Sequence, residues 1–401
     1  MKPRRVGYVR QSSVAVVLVV ALATLGLSAG PADALHLRVG PDLFNPSSLS
    51  FISADRGWVL GSELCQSAMG CVTLRETDDG GLRWSSDVLP PGLEAQVRKG
   101  DGPGAYGGVT TSMNVYFANA RDGWIYSTEV PILWSTHDGG KVWQQVSSLH
   151  LGTYGSVMDI EGVDGSVYMI EWHGNDRVIL LRFAATSDVW HLVSTPALYL
   201  PAGGAEPTGS IVAKGTSGWV MVGNDRGVSA ALELTPGGKW VAWNGPCAKV
   251  GNTYFVPAAM TAKRLAVVCT MGGFASPLSK SAPPGAKLGS NWLYLSSNGG
   301  QSFQYRTELS AKWSPELLAS PSPGVLLLVQ ADFNVTNLYR IVRSTDGGQH
   351  WTSVFRGGWA YSLTFLSPAL GLALVQNSPG KNALMATVDG GLHWHQVFFY
   401  S

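Results

Sequence analysis

A phrase of eight residues returns along this chain and constrains the fold more than any other feature. It reads hydroxyl residue, any residue, Asp, Gly, Gly, any two residues and an aromatic residue. Four copies fit closely and a fifth carries Asn in place of Asp; the five copies span Thr77–Trp84, Thr136–Trp143, Ser296–Phe303, Ser344–Trp351 and Thr387–Trp394. A phrase that recurs about every 40 to 60 residues predicts an architecture of repeated units.

The chemistry of the phrase is that of a tight corner between two strands. Asp or Asn accepts hydrogen bonds from nearby backbone N–H groups, Gly adopts positive φ without strain, and the hydroxyl group braces the same turn. The aromatic residue begins the next strand and packs against apolar surface. We therefore assign structural roles to Asp79, Trp84, Asp138, Trp143, Asn298, Phe303, Asp346, Trp351, Asp389 and Trp394.

Two degenerate copies complete the series. Thr186–Trp190 keeps Asp188 and Trp190 but has lost both glycines, whereas Thr235–Trp240 keeps its glycines and has lost the Asp. With these two copies the chain holds seven units. Asp188 and Trp190 therefore receive the same structural role as the residues of the complete copies.

Short strands are predicted around each corner. In several units an apolar residue stands six positions before a Gly, as Phe51 does before Gly57, and short apolar stretches follow. Apolar and polar residues alternate with a period of two in most of these stretches, which predicts a four-stranded meander for each unit. Seven such units predict an all-β, seven-bladed β-propeller of four-stranded antiparallel blades. The predicted domain covers 35–401, with blades at 35–90, 91–147, 148–194, 195–244, 245–307, 308–356 and 357–401.

The N-terminal residues 1–34 differ in character from the repeated units. Four basic residues among the first ten precede an apolar run at 14–27, and Ala32 and Ala34 offer a cleavage site. This pattern predicts a secretory signal peptide, with an uncleaved anchor as the alternative. The expected location is secreted or extracytoplasmic, and a second membrane span is not expected. The chain's formal charge of +1 becomes about −2 without this segment, which does not favour nucleic acid or anionic lipid as a partner.

The chain contains four cysteines, an even number in a chain that we expect to be exported. Cys65 and Cys71 flank a short loop in unit 1, while Cys247 follows unit 4 and Cys269 ends a strand of unit 5. We predict the disulfides Cys65–Cys71 and Cys247–Cys269. Zinc binding is the weaker interpretation, because the CxxC spacing of zinc sites is missing.

The repeated phrase resembles the Asp-box, also called the bacterial neuraminidase repeat. In that family the box joins the third and fourth strands of a propeller blade and lies away from the ligand site. The resemblance implies an architectural role, so no catalytic role is assigned to Asp79, Asp138, Asp346 or Asp389. A metal site at the corners is disfavoured as well, because one carboxylate per turn supplies too few oxygen ligands for Ca²⁺.

The resemblance implies that loops opposite the corners form the binding face. Long loops rich in Gly, Pro and Ser are predicted there at 90–111, 194–209 and 270–291; they are binding loops or plain insertions between blades. Trp243, Trp313 and Trp359 also fall in predicted loops of this face. As a candidate rim of positive charge we select Arg98, Lys99, Arg177, Arg226 and Lys249.

A second resemblance is to the photosystem II stability and assembly factor family and its relatives in non-photosynthetic bacteria. Two stretches carry it, Phe51–Gly61 and Val115–Tyr126, each followed by a strand and a corner. Members are seven-bladed, exported and non-enzymatic, and they bind membrane-protein intermediates. The resemblance therefore implies a scaffold that binds a protein or an envelope polymer. We further expect a monomer without a cofactor.

Sialidases share the Asp-box, so a glycan-active or glycan-binding propeller is the alternative function. The sialidase resemblance would imply three arginines on the substrate carboxylate, a Tyr–Glu nucleophile and an Asp acid. The near match to the family's Arg-Ile-Pro motif, Arg340–Val342, lacks the proline and leads into a corner. We therefore assign no catalytic residue, cofactor site or metal site, and we expect that the chain is not an enzyme.

Overall fold

The computed structural model describes residues 44–63, 71–93, 113–146, 155–174, 176–184, 189–200, 202, 207–224, 227–247, 253–271, 290–332, 338–378 and 381–400. This part of the chain folds into seven antiparallel sheets with almost no helix. The predicted seven-bladed propeller with four-stranded blades is thereby confirmed. None of the described helical segments is long and apolar enough to cross a bilayer. The predicted signal peptide at 1–34 lies outside the described residues.

The strands run in chain order through the seven blades. Blades 1 to 4 contain β1 Asn45–Phe51, β2 Gly57–Glu63, β3 Cys71–Thr77, β4 Ser85–Asp87; β5 Met113–Phe117, β6 Gly123–Ser127, β7 Leu133–Thr136, β8 Gln144–Gln145; β9 Ser156–Val163, β10 Ser166–Trp172, β11 Arg177–Ala184, β12 Val189–Leu192, β13 Leu198–Tyr199; and β14 Thr208–Lys214, β15 Ser217–Asn224, β16 Gly227–Leu234, β17 Trp240–Ala242. Blades 5 to 7 contain β18 Thr253–Thr261, β19 Arg264–Met271, β20 Asn291–Ser296, β21 Gln304–Leu309; β22 Trp313–Ser322, β23 Val325–Asp332, β24 Tyr339–Ser344, β25 Thr352–Gly357; and β26 Ala360–Phe365, β27 Gly371–Ser378, β28 Lys381–Thr387, β29 His395–Val397.

Each blade is a meander in which strands pair with their neighbours in sequence. The first strands of neighbouring blades contact one another, as β1 contacts β5 and β9 contacts β14, so the first strands surround the axis. Blade 3 carries an addition, because β13 pairs with the start of β11.

The apolar core is divided among the spaces between neighbouring blades. Seven clusters of buried side chains each draw on two adjacent blades. Alternation along a strand sends successive residues to opposite faces of the sheet. In β10, Tyr168 and Ile170 pack toward blade 4, whereas Met169 packs toward blade 2. A blade is therefore apolar on both faces, and stacking around a ring buries both.

The repeated phrase forms a self-braced turn, which we call the corner turn, at 78–84, 137–143, 297–303, 345–351 and 388–394. In the first of these, Gly81 N–H donates to Thr77 Oγ1 (2.8 Å), and Arg83 N–H donates to Asp79 Oδ1 (2.9 Å). The indole of Trp84 folds back and donates to Gly81 O (3.1 Å). The hydrogen bond from Arg83 N–H, with a further one from the Thr77 hydroxyl group, holds the pKa of the Asp79 carboxyl group below its usual range. Asp188 of the degenerate copy in blade 3 lies outside the described residues.

In the corner turn of blade 5, an indole from blade 4 donates the hydrogen bond that the turn's own Trp donates in other blades. The aromatic residue of this turn is Phe303, which has no N–H, and Trp243 Nε1 donates to Gly300 O (2.7 Å) in its place. The Trp243 and Phe303 rings lie 5.6 Å apart. The prediction that Trp243 lies in a loop of the binding face is therefore wrong. Its side chain is buried at the opposite end, where it supplies the indole N–H that Phe303 lacks.

The ring closes where the last blade meets the first. Asn382 N–H donates to Asn45 Oδ1 (2.7 Å), and Trp84 N–H donates to Tyr400 O (2.9 Å). Phe399 lies between two aromatic rings, with centroids 4.5 Å from Phe44 and 4.7 Å from Trp84. Among the described residues, blade 7 consists of four consecutive strands of its own, and these contacts join it to blade 1.

The predicted Cys247–Cys269 disulfide is confirmed. It joins the segment after blade 4 to the second strand of blade 5, and both residues are fully buried. Cys71 is also disulfide-bonded. Its predicted partner Cys65 lies outside the described residues.

Candidate functional site

The blades have two unlike ends. At one end each corner turn packs on the turn between the first and second strands; Gly80 N–H donates to Asp55 O and Gly390 N–H donates to Ala369 O, both at 2.8 Å. We call this end the corner face. The links between second and third strands, and those between blades, lie at the other end, which we call the channel face. The corner face is occupied by structural hydrogen bonds, which leaves the channel face as the candidate binding surface.

Polar side chains of the first strands line a cavity of about 460 Å³ near the axis, which we call the channel. Several of them bridge neighbouring blades. Ser48 Oγ on β1 accepts from Val115 N–H on β5 (3.0 Å), and Asp159 on β9 accepts from Ile211 N–H on β14 (2.7 Å). The channel wall is thus polar, while the spaces between blades are apolar.

Two carboxyl groups stand side by side on the channel wall. Asp159 and Glu161 are two residues apart on β9 and therefore lie on the same face of the strand. The Tyr116 hydroxyl donates to Glu161 Oε1 (3.4 Å), and Tyr126 also lines the channel. Burial raises the pKa of Asp159 to about 8, with a further contribution from Glu161, and it raises the pKa of Glu161 to about 7. Among the described residues that line the channel there is no Lys or Arg.

The raised pKa of Asp159 predicts a pH-dependent stability of known sign. An unfolded Asp has a pKa of about 3.9, so the folded state holds its proton more tightly than the unfolded state does. The resulting stabilisation is complete below about pH 4 and is lost as the pH rises toward about 8. Asp159→Asn keeps an acceptor for Ile211 N–H but cannot ionise. We expect its Tm to exceed that of the wild type at pH 9 and to match it at pH 4.

Thermal unfolding at pH 4, 7 and 9 measures this difference. Asp164→Asn is the matched control, since Asp164 is exposed in the turn that follows β9. A Tm difference between wild type and Asp159→Asn that did not grow with pH would contradict the prediction.

Three aromatic rings lead from blade 6 to the mouth of the channel on blade 7. The ring centroids of Tyr339 and Trp359 are 5.1 Å apart, and those of Trp359 and Tyr361 are 6.4 Å apart. Trp359 is 46% exposed and Tyr361 is 39% exposed. Tyr361 occupies a β-bulge, a feature that re-aims side chains, and it lines the channel. We call Tyr339, Trp359 and Tyr361 the aromatic ladder; rings of this kind anchor protein partners.

Positive charge lies at the same end of blade 6. The Arg340 guanidinium is 3.7 Å from the centroid of the Trp313 ring, and its Nε donates to Gln330 Oε1 (3.1 Å). Arg356 stands directly opposite Arg340 in the next strand. Burial, together with the charge of Arg356, lowers the pKa of Arg340. The channel face thus combines the exposed aromatic rings of Trp359 and Tyr361, the guanidinium groups of blade 6 and the carboxyl groups inside the channel.

The residues predicted for a positive rim are only partly described. Arg177 begins β11 at the channel-face end of blade 3, is exposed, and stands opposite Tyr199 of β13. Arg98, Lys99, Arg226 and Lys249 lie outside the described residues. The rim therefore stays a prediction.

The sequence reasoning did not select Asp159, Glu161 or Tyr361. One signal was available for the first two, since they alternate with Met158 and Ile160, which marks a strand with one acidic face. The position of Tyr361 has no comparable signal, because it depends on a bulge. Among the described residues no group of three His, Cys, Asp or Glu side chains could hold a metal ion.

Neither a protein-family model nor a curated protein matches this sequence. Among solved structures, YCF48 bound to a D1 peptide is similar over 87% of this chain and 94% of that chain, with a TM-score of 0.54 and 20% identity. YCF48 from Cyanidioschyzon merolae is similar over 87% of this chain and 97% of that chain, with a TM-score of 0.53 and 13% identity.

A PL25 polysaccharide lyase, an ulvan lyase bound to -[GlcA(1-4)Rha3S]-, is similar over 89% of this chain and 94% of that chain, with a TM-score of 0.51 and 11% identity. At these identities the likenesses establish a shared fold. A binding propeller and a polysaccharide lyase stand side by side among them, so the fold alone does not select a chemistry.

Proposed function

We propose that this chain is an exported, non-catalytic propeller that binds a segment of a partner protein on its channel face, in the manner of an assembly factor. The observation that carries the proposal is the aromatic ladder, in which the exposed rings of Trp359 and Tyr361 lead to the channel mouth. Two guanidinium groups lie at the same end of blade 6. The similar solved structure of YCF48, which holds a D1 peptide, gives a precedent for peptide binding on this fold.

The proposal includes the finer interpretations of the sequence. The corner turns are Asp-box repeats that build the blades, and residues 1–34 are a signal peptide that directs export. The mass of the mature protein is expected to correspond to a chain that starts at Leu35. A mature chain that retains residues 1–34 would support the alternative of an uncleaved anchor.

Trp359→Ala tests the binding surface. A central aromatic anchor contributes about 2 kcal/mol or more to binding, so partner recovery from envelope extracts should fall about 30-fold at limiting protein. Chemical cross-linking before capture, followed by mass spectrometry, measures the recovery. Tyr305→Ala is the control, because Tyr305 is also exposed but lies two residues after a corner turn, near the opposite face. Equal recovery with Trp359→Ala and wild type would contradict the proposed site.

One observation favours a second candidate, a glycan-active propeller. Asp159 and Glu161 are neighbouring carboxyl groups with raised pKa values in one cavity, and glycoside hydrolysis uses such a pair. The arginine cluster of the sialidase site is not found among the described residues that line the channel. A panel of aryl-glycosides and acidic polysaccharides separates the two functions. Turnover that is lost in Asp159→Asn would favour the glycan-active candidate, whereas the proposed function predicts no turnover.

A further inference from the structure

Among its described lining residues, the channel holds two carboxyl groups and no cation. Asp159 and Glu161 share one face of β9, line the cavity, and each keeps part of its surface accessible. The described lining includes no Lys, Arg or His. Arg340 and Arg356 lie at the same end of the ring, but blade 6 contributes no residue to this lining. Within the described part of the chain, the two carboxyl groups therefore lack a partner of opposite charge.

Burial makes these carboxyl groups responsive to a cation. It raises the pKa of Asp159 to about 8, with a further contribution from the charge of Glu161, and it raises the pKa of Glu161 to about 7. An opposite charge within about 4–6 Å favours the ionised form of a carboxyl group. The other titratable groups that face the pair are the hydroxyl groups of Tyr116 and Tyr126, whose pKa burial raises, so they stay neutral. A cationic group that enters the channel would thus be met by negative charge as the carboxyl groups lose their protons.

The hydroxyl group of Tyr126 adds a polar group with bonding capacity to spare. Tyr126 is 7% exposed and lines the channel, and its hydroxyl group donates to no described residue. The charges of Asp159 and Glu161 raise its pKa further, which places the hydroxyl group near the pair. An ammonium group has three N–H donors, and a tyrosine oxygen can accept a hydrogen bond. Two carboxyl groups and a tyrosine oxygen would supply three acceptors for it.

The aromatic mouth of the channel suits the stem of a long basic side chain. The Tyr361 ring lines the channel, and its centroid is 6.4 Å from that of Trp359. Aromatic faces attract ammonium groups, and the alkyl stem of a basic side chain packs on apolar surface. The cavity of about 460 Å³ lies within the range of about 300–1,000 Å³ that is usual for ligand sites.

A bare metal ion fits the channel less well than an organic cation. Ca²⁺ takes about six to eight oxygen ligands. No group of three His, Cys, Asp or Glu side chains that could hold a metal ion occurs among the described residues. A metal ion would also leave the aromatic mouth unused.

We propose that the channel accepts a lysine side chain of the bound partner segment, with its ammonium group between Asp159 and Glu161 and its alkyl stem beside Tyr361. The inference rests on the proposed function, because the segment is the one that the aromatic ladder anchors. It adds a feature of the partner, which is a lysine next to the residues that contact the ladder.

The probe is the peptide acetyl-Gly-Lys-Gly-amide, and its match is the same peptide with norleucine in place of lysine. Norleucine keeps the alkyl stem and lacks the ammonium group. Titration calorimetry of the purified protein at pH 7.5 measures both affinities. We expect saturable binding of the lysine peptide and binding at least about tenfold weaker for the norleucine peptide, since charge-assisted hydrogen bonds are the stronger kind. Equal affinities would overturn the proposal.

The pH dependence of binding reports on the carboxyl groups. In the free channel Asp159 holds its proton below about pH 8, and that proton must leave when the ammonium group binds. Binding should therefore release at least one proton and weaken at least about tenfold for each pH unit from 7 down to 5. Calorimetry in buffers of different ionisation enthalpy measures the released protons. An affinity that stayed constant between pH 5 and pH 7 would count against a lysine between these carboxyl groups.

Asp159→Asn and Glu161→Gln remove one charge each, and we expect either variant to bind the lysine peptide at least about tenfold more weakly than the wild type. Asp164→Asn is the matched control, because Asp164 is exposed in the turn after β9 and lies outside the channel lining. If a channel variant folds poorly, the two peptides on the wild type decide the matter. Wild-type affinity in both channel variants would overturn the proposal.

The inference and the proposed function can fail separately. Partner recovery that depends on Trp359, combined with equal binding of the two peptides, would keep the proposed function and overturn the lysine site. A clear lysine preference without any partner that depends on Trp359 would support the channel site and contradict the proposed function.

Discussion

Phe399→Ala is expected to destabilise the protein by about 3–5 kcal/mol, because truncation of a buried Phe removes apolar contacts and leaves a cavity. Phe399 is 8% exposed and lies between Phe44 and Trp84, at the junction of the last and first blades. The cavity would weaken the interface that closes the ring. Equilibrium unfolding in guanidinium chloride, followed by tryptophan fluorescence, measures the loss.

Phe398→Ala provides an adjacent control. Phe398 is 43% exposed, and its ring faces Tyr400 rather than the core of blade 1. We expect this change to shift stability by less than about 1 kcal/mol, as surface substitutions usually do. Similar losses for Phe398→Ala and Phe399→Ala would show that the C-terminal segment does not close the ring through Phe399.

Gly300→Ala is expected to cost about 2–5 kcal/mol, from left-handed backbone strain of about 1–2 kcal/mol and overpacking of about 1–3 kcal/mol. Gly300 has φ +93°, and a Cβ there would lie 2.6 Å from Trp243 Nε1. The added methyl group would push the indole away from Gly300 O, its acceptor in the corner turn. Denaturant unfolding gives the free-energy change.

Gly299→Ala separates strain from crowding within the same turn. Gly299 has φ +76°, yet a Cβ there would meet nothing within 4 Å. Only the backbone strain of about 1–2 kcal/mol should remain. If the two alanine variants lost equal stability, the close approach of Trp243 to Gly300 would not be a determinant of this corner.

The two faces of the ring carry different kinds of interaction. On the corner face, main-chain groups of the turns are bonded within each turn, and in blades 5, 6 and 7 they also accept from the preceding blade, as Gly390 O does from Arg343. On the channel face, exposed rings such as Trp359 remain beside a polar channel.

Local chemistry made much of the fold predictable. A corner turn satisfies its own hydrogen bonds within eight residues, so the phrase that contains Thr77, Asp79 and Gly81 specifies its geometry wherever it occurs. The number of blades and the order of their strands follow from the number and spacing of such phrases. The Cys247–Cys269 pair could be predicted because few cysteines were available to pair in a chain expected to be exported.

The candidate binding surface could be located only from the tertiary structure. Tyr339, Trp359 and Tyr361 belong to two blades and meet only because the blades stack side by side. The wrong prediction for Trp243 has the same cause. Its position depends on the corner turn of the next blade, which has Phe303 in place of a Trp.

The sequence by itself determined the corner turns, the count of seven blades and the strand pattern, because each of these depends on groups close together along the chain. The tertiary structure alone decided ring closure, the acidic channel and the aromatic ladder. These features depend on how side chains from separate blades face one another, and no spacing within a single repeat encodes that arrangement.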